Sequence, residues 1–399
     1  DNTAVGDNAL GANTTASNNT AVGSSALLVN STGASNTAVG TSALAANTTA
    51  SNNTAVGYSA LNANTTGAQN TAVGRNSLLT ATTASNNTAI GRDSMEATTT
   101  GANNTAVGYD SLKANTTADN NTAVGYDALT ANTVGHTNTA IGVQAATAVT
   151  TGDNNIAIGY RSLYTEDTGN RSIAIGDYAL TVQNNDDSNY NIAIGYNSLG
   201  ANTTGMNNVA VGGLSLDANT TASNNTAIGH SVLTANTTGA DNSALGMQAL
   251  KDNTTGSYNV AVGKNSMEAN TTGANNTALG RESLASNTTA DNNTAVGYNT
   301  LLANTTGASN VAVGYLALDA NTTANYITAV GEKALSANTT GAKNTALGRA
   351  TLQAITTQSN NTAVGYNALS GGSNAASDNT AVGMDALTST TTGAENSAF

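Results

Sequence analysis

The stretch Asn121–Leu129, "NTAVGYDAL", decides the fold, because the chain returns to it with small changes along its whole length. "NTAVGYSAL" occupies Asn53–Leu61, and "NTAVGYNAL" occupies Asn361–Leu369. A short motif that recurs at a fixed period predicts a solenoid, in which each unit packs mainly on its neighbours.

The period is set by the aliphatic residue that precedes the recurring glycine. It recurs every 17 residues from Val5 to Ile175 and again from Ile194 to Val364. A slip of two residues separates these runs, and a slip of one residue precedes Val382. No linker or change in composition interrupts the pattern, so we predict a single repeat domain over residues 1–399. Both ends fall inside a repeat, which favours a fragment of a longer fibre.

Composition limits the function classes. The 399 residues include no cysteine, which excludes disulfides and thiolate metal sites, and only 9% are charged, with a net charge of −13. Eleven scattered Lys and Arg form no phosphate-binding stripe, so we expect no nucleic-acid partner. No stretch approaches the roughly 18 apolar residues that a membrane helix needs.

One repeat, Asn53–Gln69, shows the expected build of a coil, and we number its positions 1 to 17 from the asparagine. The second and fourth positions alternate as in a β-strand, and we expect them to face the core. The fifth position is glycine, which indicates a bend, and the ninth is almost always Leu, a second core residue. The segment "ANTTG" has turn composition. The pattern therefore predicts that each coil consists of a strand, a bend, a short strand and a loop.

Stacked in register, such strands form a parallel ladder. The sequence thus predicts an all-β protein, a parallel β-solenoid (β-roll) of about 23 coils with a 17-residue repeat. Coils about 4.8 Å apart would make a rod on the order of 110 Å long. The absence of proline agrees with strands throughout. An Ala-rich helix is the rival reading, but the repeat offers no 3.6-residue apolar stripe.

The asparagines are expected to stack. Identical amides one coil apart can hydrogen-bond along the axis, as in a ladder through Asn53, Asn70, Asn104 and Asn121. The "NTT" and "NNT" triplets also match glycosylation acceptors. We favour the ladder.

The third and fifth positions suggest a partner chain. They stay alanine and glycine, whereas solvent-facing positions such as the sixth, seventh and tenth vary. We therefore expect both faces of the strand to be buried, one in the coil and the other, through Ala and Gly, against another chain. On this reading, Leu in place of Ala55 or Ala106 would disrupt assembly more than a change at Ser59.

The strand motifs resemble a known family. "NTAVG", "NIAIG" (Asn155–Gly159), "SIAIG" (Ser172–Gly176) and "NVAVG" (Asn259–Gly263) are similar to the head repeats of trimeric autotransporter adhesins of the YadA type. The fuller unit also resembles repeats of phage tail-fibre and bacterial surface proteins. The resemblance implies a left-handed roll packed as a homotrimer. This chain departs from the family in its longer unit and in the Thr at its second position.

No motif for catalysis or cofactor binding is present, so we expect neither enzyme activity nor a cofactor. His136 and His230 fall at different repeat positions and cannot share a metal. No calcium turn recurs among the acidic residues Asp110, Asp127, Glu166, Asp186 and Asp187. We expect no metal site.

The sixth position concentrates Tyr and basic residues, which defines a candidate binding ridge. Its members are Tyr58, Arg75, Arg92, Tyr109, Tyr126, Tyr160, Tyr196, Arg281, Tyr298, Tyr315, Arg349 and Tyr366, with Lys264 in the same column. Such a ridge could bind a host-surface glycan or protein. The alternative, which we favour, is an exposed strand position where large side chains cover neighbouring backbone.

Two stretches break the regular repeat, at residues 160–191 and 370–380. The first contains three extra tyrosines and an acidic cluster. A bulged loop on a regular shaft is a place where function is added, but a tolerated slip between repeats explains it equally well.

Together these features predict a fibre shaft or adhesin head segment on a cell surface, an extracellular filament or a virion, which self-associates as a homotrimer or filament. The alternative is an ice-binding β-solenoid, because "TT" recurs in nearly every loop, as at Thr65-Thr66 and Thr271-Thr272. Adjacent residues of a strand point to opposite faces, so two neighbouring threonines cannot form one outward pair. That geometry makes ice binding the second choice.

Overall fold

The computed structural model describes residues 1–185, 188–371, 376–389 and 393–399. The chain divides into two compact units, Asp1–Thr204 and Gly205–Phe399. Each unit is a parallel β-solenoid, and no helix occurs in the described residues. The predicted all-β solenoid of about 23 coils with 17-residue spacing is confirmed.

Each coil contributes one short strand, formed by its second to fourth positions. In the first unit the strands are β1 (Thr3–Val5), β2 (Thr20–Val22), β3 (Thr37–Val39), β4 (Thr54–Val56), β5 (Thr71–Val73), β6 (Thr88–Ile90), β7 (Thr105–Val107), β8 (Thr122–Val124), β9 (Thr139–Ile141), β10 (Ile156–Ile158), β11 (Ile173–Ile175) and β12 (Ile192–Ile194). In the second they are β13 (Val209–Val211), β14 (Thr226–Ile228), β15 (Ser243–Leu245), β16 (Val260–Val262), β17 (Thr277–Leu279), β18 (Thr294–Val296), β19 (Val311–Val313), β20 (Thr328–Val330), β21 (Thr345–Leu347), β22 (Thr362–Val364), β23 (Thr380–Val382) and β24 (Ser397–Ala398).

The strands pair in parallel and in register with the same residues of the next coil. Thr105 lies opposite Thr122, for example, and the two alanines that follow them are paired as well. The register persists across the two slips, because Ile173 pairs with Ile192 and Thr362 with Thr380. The extra residues therefore lie outside the strands. Asp186, Asp187 and residues 372–375 of the irregular segments lie outside the described residues.

The core is lined by the third and ninth positions, which corrects the predicted face of the strand. From Ala21 to Ala381 the third-position alanine is at most 2% exposed, whereas fourth-position residues such as Ile90 are up to half-exposed. The predicted core face of Thr and Val is thus the outer face. The reason is space: a fully buried leucine, such as Leu112, fills the narrow coil and leaves room only for a methyl group opposite it.

The segment around the ninth position is a turn, so the predicted second strand is wrong. Ser59 and Leu61 both have φ of 53°, a left-handed conformation that lets the chain reverse tightly around the leucine. The leucine itself is buried, as expected. The glycine bend is confirmed: Gly108 has φ of +140°, and a Cβ there would meet the carbonyl oxygen of Gly125 in the next coil.

Buried asparagines form two ladders within the coils, which confirms the stacking prediction. The backbone N–H of Asn70 donates to Oδ1 of Asn53 at 2.9 Å, and the Asn70 side chain reaches the same oxygen at 3.2 Å. At the twelfth position, Asn64 Nδ2 donates to Oδ1 of Asn47 at 2.9 Å.

The triplets that match glycosylation acceptors differ in exposure. Asn47, which begins an "NTT" triplet, is fully buried, whereas Asn52, which begins an "NNT" triplet, is exposed.

Candidate functional site

The sixth position follows the glycine bend directly, and this bend turns its side chains outward. Tyr58, Tyr126 and Tyr196 of the first unit are about half or more exposed, and Arg75 is also exposed. In the second unit Tyr315 is 49% exposed. The predicted ridge residues thus lie on the surface of each unit. Whether the ridge binds a ligand stays a prediction.

Within the first unit the ridge is a set of separate clusters. The rings of Tyr109 and Tyr126 stack with centroids 5.4 Å apart and planes 9° apart. The Arg92 guanidinium lies 5.3 Å from the Tyr109 centroid. Neighbours from the two adjacent coils therefore cover both faces of the Tyr109 ring.

The second unit repeats this arrangement. Tyr298 and Tyr315 stack with centroids 5.6 Å apart, and the Arg281 guanidinium lies 5.6 Å from the Tyr298 centroid. Farther along, Arg349 lies over Tyr366 and donates from Nη1 to its hydroxyl oxygen at 3.1 Å. Rings packed in this way present edges and hydroxyl groups to solvent.

The charges of the ridge are largely paired. Arg92 Nε lies 2.9 Å from Asp93 Oδ2, and Arg281 Nη2 lies 2.9 Å from Glu282 Oε1. Hydrogen bonding to the Glu282 carboxylate raises the pKa of Arg281. A guanidinium that lies between a carboxylate and a tyrosine ring is less available to an anionic ligand. The geometry therefore favours the covering role of the ridge over an open binding platform.

Sequence reasoning missed one member of this surface. Tyr178 occupies the seventh position of its coil, but its ring makes edge-to-face contacts with Tyr160 at 5.3 Å and with Tyr196 at 6.3 Å. The spacing in the sequence could have indicated this contact, because Tyr178 lies 18 residues from each of these tyrosines, which is close to one repeat.

The first irregular stretch, residues 160–191, contains a buried carboxylate. Glu166 occupies the twelfth position, where most coils carry the ladder asparagine, and it is fully buried. Its Oε1 accepts from Gly169 N at 2.8 Å, and its Oε2 accepts from Gln183 Nε2 at 2.8 Å and from Asn189 Nδ2 at 3.0 Å. Burial raises the pKa of Glu166, and the hydrogen bonds from Gln183 and Gly169 oppose this shift.

The two histidines are exposed and lie on different parts of the coil surface. His136 Nδ1 accepts the backbone N–H of Asp119 at 2.9 Å, and His136 N donates to Asp153 Oδ1 at 2.6 Å. His136 thus belongs to a column of loop acceptors at the sixteenth position, in which other coils use serine, as where Ala34 N donates to Ser51 Oγ at 3.0 Å. His230 Nδ1 lies 3.0 Å from Ser231 Oγ.

The described parts of the chain contain no pocket and no group of three or more potential metal ligands. Across the same residues, no helix is long and apolar enough to cross a membrane.

The outer face of the strands is a further surface feature of each unit, and it is the face that the sequence pattern predicts to be the core. We define the outward stripe of each unit as the second- and fourth-position side chains of its strands. In the first unit the fourth-position residues Val39, Ile90 and Ile141 are 36–40% exposed. In the second unit Leu245 and Leu279 are 48% and 47% exposed. The variation of the second position among Thr, Ile, Val and Ser was the signal for an outer face.

Neither a protein-family model nor a curated protein matches the sequence.

Proposed function

We propose that this chain is a structural segment of a surface fibre, a shaft or an adhesin head, whose copies associate through their outward stripes. One observation carries the proposal. Every complete coil places an uncharged pair, mostly Thr and an aliphatic residue, side by side on an open sheet face. The largest exposed patch on a soluble protein, commonly several hundred Å² in area, is often functional.

The stripe is large enough to hold copies together. Twelve strands about 4.8 Å apart make a strip roughly 50 Å long and about 10 Å wide, or about 500 Å² per unit. The strip of one unit alone thus approaches the roughly 800 Å² that each partner contributes to a standard specific interface. The stripe residues carry no charge, so the net charge of −13 lies on other surfaces.

A homotrimer with a left-handed roll is the proposed arrangement, as the resemblance to adhesin head repeats implies. Three copies related by rotation would bring their stripes to a common axis, where the aliphatic side chains leave water together. The proposed location is accordingly a cell surface, an extracellular filament or a virion. The sequence pattern predicts that the partner chain contacts the Ala and Gly of each coil. In the proposed arrangement it contacts the Thr and Val of the outward stripe instead.

Lysine substitutions on the stripe test this proposal. We expect Val107→Lys combined with Ile141→Lys to yield folded monomers, because a cation buried between copies has no partner. Thr117→Lys combined with Thr151→Lys is the matched control, since it changes exposed loop residues of the same two coils. Sedimentation equilibrium should show trimers for the natural chain and the control. A natural chain that is a stable folded monomer would overturn the proposal.

Ice binding is the second candidate, and the same stripe is the observation that favours it. Each strand that begins with Thr holds its hydroxyl and an aliphatic side chain outward, at one regular step per coil. The loop threonines fit less well: Thr65 Oγ1 donates to the carbonyl oxygen of Thr82 at 3.0 Å, and only Thr66 is exposed. Thermal hysteresis and ice shaping by the natural chain at micromolar concentration would support this candidate, and the absence of both would reject it.

A further inference from the structure

We infer that β10, β11 and β12 set the axial register in which copies of this chain associate, through a patch of six outward isoleucines. The inference rests on the proposed self-association. The inference names the residues that determine which coil of one copy lies beside which coil of another copy. The partner is a second copy of this chain.

The patch interrupts the usual pattern of the outward stripe. From β1 to β9 the second position is always threonine, and in three consecutive strands it becomes isoleucine. Together with the fourth positions this gives Ile156, Ile158, Ile173, Ile175, Ile192 and Ile194. The strands pair in register, with Ile156 opposite Ile173 and Ile173 opposite Ile192, so the side chains form one continuous cluster. All six are partly exposed.

No other position of the outward stripe repeats this arrangement. In the second unit the second position is valine only at Val209, Val260 and Val311. Val260 and Val311 lie in strands whose neighbours in the chain begin with Ser or Thr, and Val209 begins the strand that follows β12. The isoleucine patch is therefore a unique mark on an otherwise periodic surface.

A periodic surface alone does not fix the axial register between two copies, so a local difference such as the isoleucine patch is needed to fix it. Two copies that slide by one coil, about 4.8 Å, still place Thr beside Thr and an aliphatic residue beside an aliphatic residue. Rotational symmetry places the same strand of every copy at the same height, so the aligned state brings the isoleucine patches together. A slip of one coil moves isoleucines of the patch against threonines and buries less apolar surface. The aligned register is favoured for this reason.

Cross-linking in a chain that has no natural cysteine measures the register. Two single-cysteine versions, Val107→Cys in β7 and Val124→Cys in β8, are mixed and allowed to assemble. Disulfides between identical positions report alignment, and disulfides between positions 107 and 124 report a slip of one coil. For the natural patch we expect identical-position products to exceed slipped products by at least about tenfold.

Replacing the second-position isoleucines of the patch by threonine should remove the preference for the aligned register. Each cysteine version also receives Ile156→Thr, Ile173→Thr and Ile192→Thr, which restore the residue that β1–β9 carry and so leave the fold intact. We expect the ratio of aligned to slipped products to fall to about twofold or less. Moving the patch, by adding Thr20→Ile, Thr37→Ile and Thr54→Ile to this variant, should restore the original ratio.

The outcomes separate the two proposals. A threonine variant that still assembles and keeps the aligned ratio overturns the register inference alone. Chains that remain monomeric in sedimentation with the natural patch overturn the proposed self-association, and the register inference with it. Loss of alignment in the threonine variant together with recovery in the moved-patch variant supports the inference.

Discussion

Ala106 and Val107 are neighbours in β7, and their side chains occupy opposite faces of the strand. Ala106 has no exposed surface and packs inside the coil, whereas Val107 lies partly exposed on the outward stripe. The pair shows how a coil with a single short strand uses one face for its own core and offers the other to its surroundings.

Enlarging Ala106 should therefore damage the fold itself. We expect Ala106→Leu to lower the free energy of unfolding by about 1–3 kcal/mol or more, because the closely packed coil must expand to hold the longer side chain. Val107→Thr should cost less than about 0.5 kcal/mol, since threonine changes only a surface contact. Urea unfolding under conditions that keep the chain monomeric measures both. Equal effects of the two substitutions would contradict the assignment of the faces.

The ladder of twelfth-position asparagines is interrupted at Ala81, and a substitution can restore it. Oδ1 of Asn64 is buried without a hydrogen-bond donor, and the next coil carries Ala81 in place of the ladder asparagine. Ala81→Asn should supply that donor, as Asn64 does for Asn47, and raise the free energy of unfolding by about 1 kcal/mol. The same change in an Asn64→Ala background is the control and should give a smaller gain, because there the new amide can donate only within its own coil, as Asn64 Nδ2 does to the Gly67 carbonyl oxygen at 2.9 Å. A gain of equal size in both backgrounds would rule out the ladder as its cause.

Glu166 should make stability depend on pH. Because burial raises its pKa above the ordinary 4.5, the folded chain holds this proton more tightly than the unfolded chain does. The resulting stabilisation is complete below pH 4.5 and is lost as the pH rises through the raised pKa.

Glu166→Gln should remove this part of the pH dependence, because a glutamine side chain does not titrate in this range. Thermal unfolding from pH 4 to pH 8 provides the measurement, with Glu96→Gln at a half-exposed site as the control. A natural chain and a Glu166→Gln variant with parallel pH profiles would disprove the account.

The ridge should contribute to stability without contributing to assembly. Tyr109→Ala removes a ring stack and a cation–π contact, which together contribute about 1–2 kcal/mol. Tyr58→Ala is the control, because Tyr58 is 59% exposed and stacks on no ring among the described residues. We expect unfolding at lower urea for Tyr109→Ala and an unchanged oligomeric state for both. A large loss of assembly in either variant would instead make the ridge an interface.

The sequence was sufficient for the architecture, because a 17-residue period with an obligatory glycine leaves little choice of fold. It also predicted the buried leucines and the asparagine ladders, whose side chains meet copies of themselves one coil away. The orientation of the strand was harder, since alternation separates the faces without saying which is inner. The third-position alanine is constant because the narrow coil has room only for a methyl group, and not because another chain contacts it, as the sequence pattern predicts.

Two further features depend on contacts that the repeat pattern does not contain. Leu61 belongs to a turn because the chain must reverse around it, although leucine has no preference for left-handed φ. The cluster of Tyr160, Tyr178 and Tyr196 forms across the first register slip, where positions in the repeat no longer predict neighbours. Side-chain size and local geometry decide both.

Thiol labelling tests the central claim most directly, namely that the outward stripe is covered by other copies of the chain. Because the chain has no cysteine, Ile90→Cys in β6 and Thr100→Cys in the loop of the same coil each introduce a single thiol. At concentrations where the protein is assembled, we expect a maleimide to label position 90 at least about tenfold more slowly than position 100, and the difference to disappear on dissociation. Equally fast labelling of both positions at every concentration would contradict the account.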